Sequence, residues 1–337
     1  MNRVLLSFSS IVKCISLVAL CFTFPACQYS EEALSAEELA SKRDELDTIL
    51  SDPSDRLRLI AKVFGSVAQD ERHAFMKFHV FGFTGEGNLV PFFTMNNYIV
   101  QQWSPAENSG FNAQHYEVAY YSKFDTDEAI SEWENPITGE TIELPHFVLG
   151  PLSRSYTTES TANAATFAPD PLNITMIGDR VYIPTLTRLQ MPNSLTTEEW
   201  GAYGGSPITF WDSMLVYSAE IEDVLNDDLD SVEAEMHMQN LVSWAPYLKL
   251  GDSPGRTMVR AYGQHISGYD ALPEKIRKNL ETYTPEIFDL ANWKEVRLDS
   301  VDFAQSLAER RKNGSLDIDQ PDYVAPRVRK FEELEGL

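Results

Sequence analysis

The chain has 337 residues, 43% of them hydrophobic and 11% aromatic, which suits one large or two small buried cores and rules against a disordered polymer. Its 51 acidic side chains outnumber 27 basic ones, giving a formal charge of −24. Such a chain repels phosphate backbones, so nucleic acid is not an expected partner, and anionic lipid surfaces repel it unless it is tethered.

Residues 1–26 read as a signal peptide. They carry Arg3 and Lys13 and no acid, and the apolar run from Cys14 to Phe24 is too short to span a bilayer but suits a signal-peptide core. Phe24-Pro25-Ala26-Cys27 is similar to the lipobox of bacterial lipoproteins, although Phe24 stands where Leu is usual. That resemblance implies diacylation of Cys27 and a membrane anchor through it. By the same sorting rules Gln28 implies the outer membrane, with the protein facing the periplasm. A soluble periplasmic or secreted protein, or an uncleaved anchor, are the alternatives. All three cysteines (Cys14, Cys21 and Cys27) lie in this segment, so the folded part is expected to have no disulfide, no thiolate nucleophile and no cysteine metal site.

Residues 27–69 read as a lipid-anchored helical segment. Ser35-Ala36-Glu37-Glu38 fits a capping box before a charged, tether-like helix over 36–50. Asp52-Pro53 is a cap with a first-turn proline, and Leu57, Ile60, Val63, Phe64 and Val67 share the face that packs on the main body.

Residues 70–290 read as a β-barrel-like domain, and from about 74 to 270 the period becomes two. Phe75 to Phe81 alternates, as does Asn97 to Trp103. From His115 to Phe124, Tyr116, Val118, Tyr120 and Phe124 fall on one side, with His115, Glu117, Ala119, Tyr121 and Lys123 on the other. Strands follow over Ala129–Glu134, Glu140–Val148, Leu172–Ile177, Arg180–Arg188, Ile208–Ile221, Met236–Trp244 and Arg256–Ser267. Asn135-Pro136-Ile137-Thr138-Gly139 and Gly178-Asp179 supply turns between them. About ten short strands joined by tight turns predict an antiparallel up-and-down meander closed into a lipocalin-like barrel, with a β-sandwich as the alternative. Pro273 to Tyr283 predicts a closing helix, and 291–337 a charged C-terminal extension with Pro321 and Pro326 near its end.

No phosphate-binding loop, zinc-protease helix or nucleophile elbow is present, and no residue pattern assigns a cofactor or a metal. Of six histidines, His79, His115, His146 and His237 fall on strands, where distant positions can converge inside a barrel. Glu117 and Asp212 sit within apolar strands, and each becomes a candidate general base if it faces inward. Trp103, Trp133, Trp211 and Trp244, with Tyr120, Tyr121 and Tyr247, are placed to line a cavity or to fill a core. Arg154, Arg180, Arg188, Arg256 and Arg260 punctuate the strands, and any of them facing inward would meet a carboxylate or an anionic ligand.

Two segments carry a family resemblance. Trp133-Glu134-Asn135-Pro136-Ile137-Thr138-Gly139-Glu140, with Pro145-His146 behind it, is joined by Ser243-Trp244-Ala245-Pro246-Tyr247-Leu248-Lys249-Leu250-Gly251 and Pro254-Gly255. Together they resemble domain of unknown function family 1838 over roughly residues 70–290. Members are exported bacterial proteins without an assigned activity, so the resemblance implies export and no catalytic residues. It directs attention to Trp133, Asn135, His146, Trp244, Gly251 and Arg256.

Two functional expectations result. The first is a binding module that holds a small apolar or aromatic molecule against Trp133, Asn135, Trp211, Trp244, Tyr247 and Arg256, with few buried ionisable groups. The second is an enzyme using acid–base chemistry (hydration, isomerisation or hydrolysis) centred on His146, with Glu117 or Asp212 as partner. A scaffold with a large exposed apolar patch is a third.

Overall fold

The computed structural model describes residues 34–145, 147–158, 170–171, 173–293, 307, 309 and 311–313. The expected signal peptide over residues 1–26, Cys27 and His146 lie outside the described residues. Helix α1 (Ala36–Ser51) and helix α2 (Pro53–Phe64) are separated by Asp52 alone. The Asp52 backbone is extended and its carboxylate accepts from the amides of Ser54 and Asp55, at 2.8 and 3.0 Å. Such a cap contributes about 1 kcal/mol, and Pro53 sacrifices no helical hydrogen bond at the first position. Leu57, Ile60, Val63, Phe64 and Val67 are all buried, as their spacing predicts. The tether expected of α1 is instead a packed helix: it lies against α2 and buries Leu46.

Twelve strands follow among the described residues: β1 (Asp70–Thr84), β2 (Leu89–Pro105), β3 (Phe111–Lys123), β4 (Glu132–Glu134), β5 (Thr141–Glu143), β6 (Phe147–Tyr156), β7 (Asp170–Pro171), β8 (Thr175–Ile177), β9 (Arg180–Pro192), β10 (Ile208–Glu220), β11 (Glu235–Val242) and β12 (Gly255–Ile266). Helices α3 (Thr197–Trp200) and α4 (Ile221–Leu225) flank β10, and α5 (Glu274–Tyr283) is the closing helix. The main sheet is antiparallel throughout, in the order β6-β3-β2-β1-β12-β11-β10-β9-β7, with β8 also on β9. The β4–β5 hairpin stands apart. Two meanders are therefore joined where the first long strand pairs with the last, Phe75 opposite Gln264 and Val80 opposite Val259.

The sheet is mainly β and curled into a half-barrel, as the strand count and turns predict. Six strand spacings separate β6 from β10, which in a flat sheet is about 29 Å. Yet the Tyr217 hydroxyl on β10 is close enough to Arg154 and Tyr156 on β6 for their charges to act on it. The face carrying these residues is thus the concave one. Among the described residues β6 and β9, the strands whose meeting would close a barrel, have no pairing with each other.

Register assigns the rest of that face. Asn97, Ile99, Gln101 and Trp103 of β2 stand beside Ala119, Glu117, His115 and Ala113 of β3. Opposite ends of the concave face are filled differently. At one end α2 enters: Phe64 stacks on Tyr217 with ring centroids 4.2 Å apart, and Gly65 lies on the Trp103 indole. At the other end the β4–β5 hairpin and residues 244–250 pack Trp133, Ile137, Ile142, Leu248 and Leu250 against Val80, Phe93 and Tyr121. The convex face of β1–β3 is covered by α5, whose Ile276 and Leu280 meet Tyr98, Tyr116, Val118 and Tyr120.

Candidate acid–base site

Between the two filled ends, β2 and β3 bring five side chains into one hydrogen-bonded chain. Trp103 Nε1 donates to Gln101 Oε1 at 3.0 Å, and Gln101 Nε2 meets His115 Nδ1 at 3.3 Å. His115 Nε2 meets Glu117 Oε2 at 3.1 Å, and Asn97 Nδ2 donates to Glu117 Oε1. The direction is set from its first member, because an indole only donates. Gln101 must then donate to Nδ1, which leaves the proton of a neutral imidazole on Nε2, facing the carboxylate. His115 and Asn97 thus hold Glu117 in place while Gln101 and Trp103 hold His115.

Local geometry explains why this chain can form. His115 and Glu117 are two apart on a strand, so both point to the concave side. Beside them β6 bulges: His115 pairs with Leu152 and Glu117 with Leu149, so Gly150 and Pro151 together stand opposite Tyr116. Gly150 has φ +123, and a Cβ there would lie 2.5 Å from the His115 carbonyl oxygen, so only glycine fits against the site.

The carboxylate is secluded but not sealed. The Glu117 side chain keeps 14% of its surface and that of His115 8%. Asn97 is fully buried, and among the described residues its Oδ1 has no hydrogen-bond partner. Arg154, on the same face, is exposed to solvent, yet enough protein surrounds it for desolvation to weigh on its charge, which Tyr156, Tyr217 and Glu117 support. A residue in both situations stands in the wall of a concavity. Burial pushes the Tyr217 hydroxyl well above its ordinary range, so it remains a donor.

The expected site residues divide. Glu117 faces inward, meeting the condition set for a general base. Asp212 does not: β10 places it on the convex side, where its Oδ2 is 3.1 Å from Arg188 Nε, directly across the strand pair. Strand alternation turns it away from the interior, so the inward-facing condition stated for a general base is not met. His146 lies outside the described residues. Trp133 and Trp244 spend their indole N–H groups on the carbonyls of Phe92 (3.0 Å) and Ser253 (2.8 Å). Asn135 is fully buried, its Nδ2 donating to Leu248 O at 3.0 Å and its Oδ1 accepting from Ile137 N at 2.9 Å. Tyr247 is hydrogen-bonded to Tyr121, and Arg256 lies over the Phe210 ring at 4.6 Å. These five therefore contact the protein itself, and the signature segments form one packed end of the half-barrel. Trp211 is 43% exposed.

Asn97, Gln101, Tyr156 and Tyr217 were not singled out by sequence. A signal for the first two existed, since Asn97, Gln101 and Trp103 alternate on one side of a strand that a short loop folds back onto His115 and Glu117. Elsewhere, His265 is buried against the Val232 carbonyl at 3.2 Å, and burial, with Arg72 nearby, pushes its pKa down to about 4. Two open grooves, of about 770 and 380 Å³, lie on the strands; the first runs past Gln102, Gln114 and Ser153, the second past Phe75, His237 and Tyr262. Among the described residues no cluster of His, Cys, Asp or Glu fits a metal ion, and no helix is long and apolar enough to cross a membrane.

Residues 75–300 match a family described as protein of unknown function (DUF1838), which spans the sheet, the hairpin and α5. No curated protein matches the chain.

Proposed function

Since the chain belongs to the DUF1838 family, whose description assigns no activity, we propose from its site that the protein is a small-molecule enzyme working by acid–base chemistry on the concave face, with Glu117 as proton acceptor. The observation that carries this is the directed chain Trp103–Gln101–His115–Glu117, completed by Asn97. Glu117 accepts two hydrogen bonds from the protein and retains lone pairs for a substrate proton. His115, Gln101 and Asn97 are positioning residues: they fix where the carboxylate points and spare it the cost of reorganising during proton transfer.

The test uses the full chain incubated with a defined mixture of small organic compounds, read by mass spectrometry. Wild type is expected to consume at least one compound, and Glu117→Gln to do so about 100-fold or more slowly. Identical profiles for the two proteins would end the acid–base reading. A carrier for an apolar molecule is the second reading, favoured by the exposed Trp211. It predicts compounds retained by the protein but never converted.

We propose also that the protein acts outside the cytoplasm, tethered through a diacylated Cys27. Cys27→Ser is expected to move it from the membrane fraction to the soluble fraction. A variant still found wholly with membranes would refute the anchor.

A further inference from the structure

We propose that the molecule bound on the concave face is an organic anion, a carboxylate on a flat apolar or aromatic body, and that Arg154 holds its charge. This deepens the acid–base reading and rests on the concave face being the ligand site.

Arg154 differs from the other arginines on the strands. Arg72 is near Glu233, Arg180 near Glu220 and Glu235, and Arg188 near Asp212, while Arg256 and Arg260 lie over the rings of Phe210 and Phe81. Arg154 faces inward, yet among the described residues no carboxylate lies within ion-pair distance of it, in a chain with 51 acidic side chains. Glu117, on the same wall, influences its charge without pairing with it. A guanidinium in a concave wall is a planar fork of donors, suited to a carboxylate.

Its surroundings suit the body of such a ligand. In register, Trp103, Ala113 and Arg154 form one row across three strands, so the residue between the guanidinium strand and the indole is small. Tyr156 stacks on Trp103 with ring centroids 5.0 Å apart, giving a fixed aromatic surface next to Arg154, and its hydroxyl is bonded to Arg154. Tyr217 completes the group across the curl of the sheet. Glu117 repels the bound charge, which biases a ligand to place its anion at Arg154 and its neutral part elsewhere.

Benzoate and its neutral analogue benzamide test this by calorimetry and ligand-observed NMR on the full chain. Benzoate is expected to bind more tightly than benzamide. Arg154→Gln should weaken benzoate by about tenfold or more and leave benzamide unchanged, which also reports an intact fold. Glu117→Gln should tighten benzoate by removing a like charge. Benzoate binding that is absent, equal to that of benzamide, or indifferent to Arg154→Gln would overturn the proposal. The two readings fail separately: conversion that ignores Glu117→Gln with benzoate still dependent on Arg154 removes only the catalytic one, and the converse removes only the anion site.

Discussion

Alanine at position 135 is expected to destabilise the protein by about 4 kcal/mol. Asn135 is fully buried and ties two separate segments together, accepting from Ile137 N within the β4–β5 turn and donating to Leu248 O beyond β11. Removing the amide strands a buried N–H and a buried C=O, each costing about 1–3 kcal/mol, and leaves a small void beside Trp133 and Ile137. Asn135→Asp separates the two bonds: its carboxylate still accepts from Ile137 N but turns a negative oxygen toward the Leu248 carbonyl, so it should also be unstable. Urea denaturation reads both variants. A loss under about 1 kcal/mol for Asn135→Ala would show that the two segments do not depend on this amide.

Gly65→Ala is the second large effect, and it should reach the catalytic chain as well as stability. Gly65 has φ −174, outside the left-handed region that favours glycine. The obstacle is space: an added Cβ would lie 2.0 Å from Cε2 and Nε1 of Trp103, whose side chain is 2% exposed and held against Tyr156. Either α2 withdraws, loosening Phe64 from Tyr217, or the indole moves and Gln101 loses its donor. A loss of about 3 kcal/mol is expected from overpacking of this kind. In two-dimensional NMR the Trp103 indole N–H should shift while those of Trp133 and Trp244, at the far end, stay in place. An unchanged denaturation midpoint with an unchanged Trp103 signal would mean that the helix end yields freely and does not brace the site.

Much of the architecture was legible because strand periodicity and turn chemistry are local. The alternation from His115 to Phe124 placed His115 and Glu117 together on one side, and the structure keeps them there. What alternation cannot say is which side curls inward. Asp212 and Glu117 looked alike as acids in apolar strands, and only the curl of the sheet separates the surface ion pair from the secluded carboxylate. The tryptophans show the same limit of local pattern. Their size marks a place of dense packing, but whether an indole N–H faces a ligand or a carbonyl depends on segments far away in sequence, as with Trp244 and Ser253 or Trp133 and Phe92. Asn97 and Gln101 carry no sequence signal of their own because single amides on a strand form no motif; their meaning comes from the neighbouring strand.

The seam between β1 and β12 has a consequence for how the protein is made. Residues 75 and 264 face each other at the middle of the sheet, so the two meanders can each assemble from near neighbours while the joint between them waits for almost the whole chain to be synthesised. Closing so long a loop is slow, and until it closes each half presents a bare strand edge able to pair with another molecule. During biogenesis the greatest risk of aggregation therefore falls on β1, and a holding chaperone that masks residues 70–84 would protect it best.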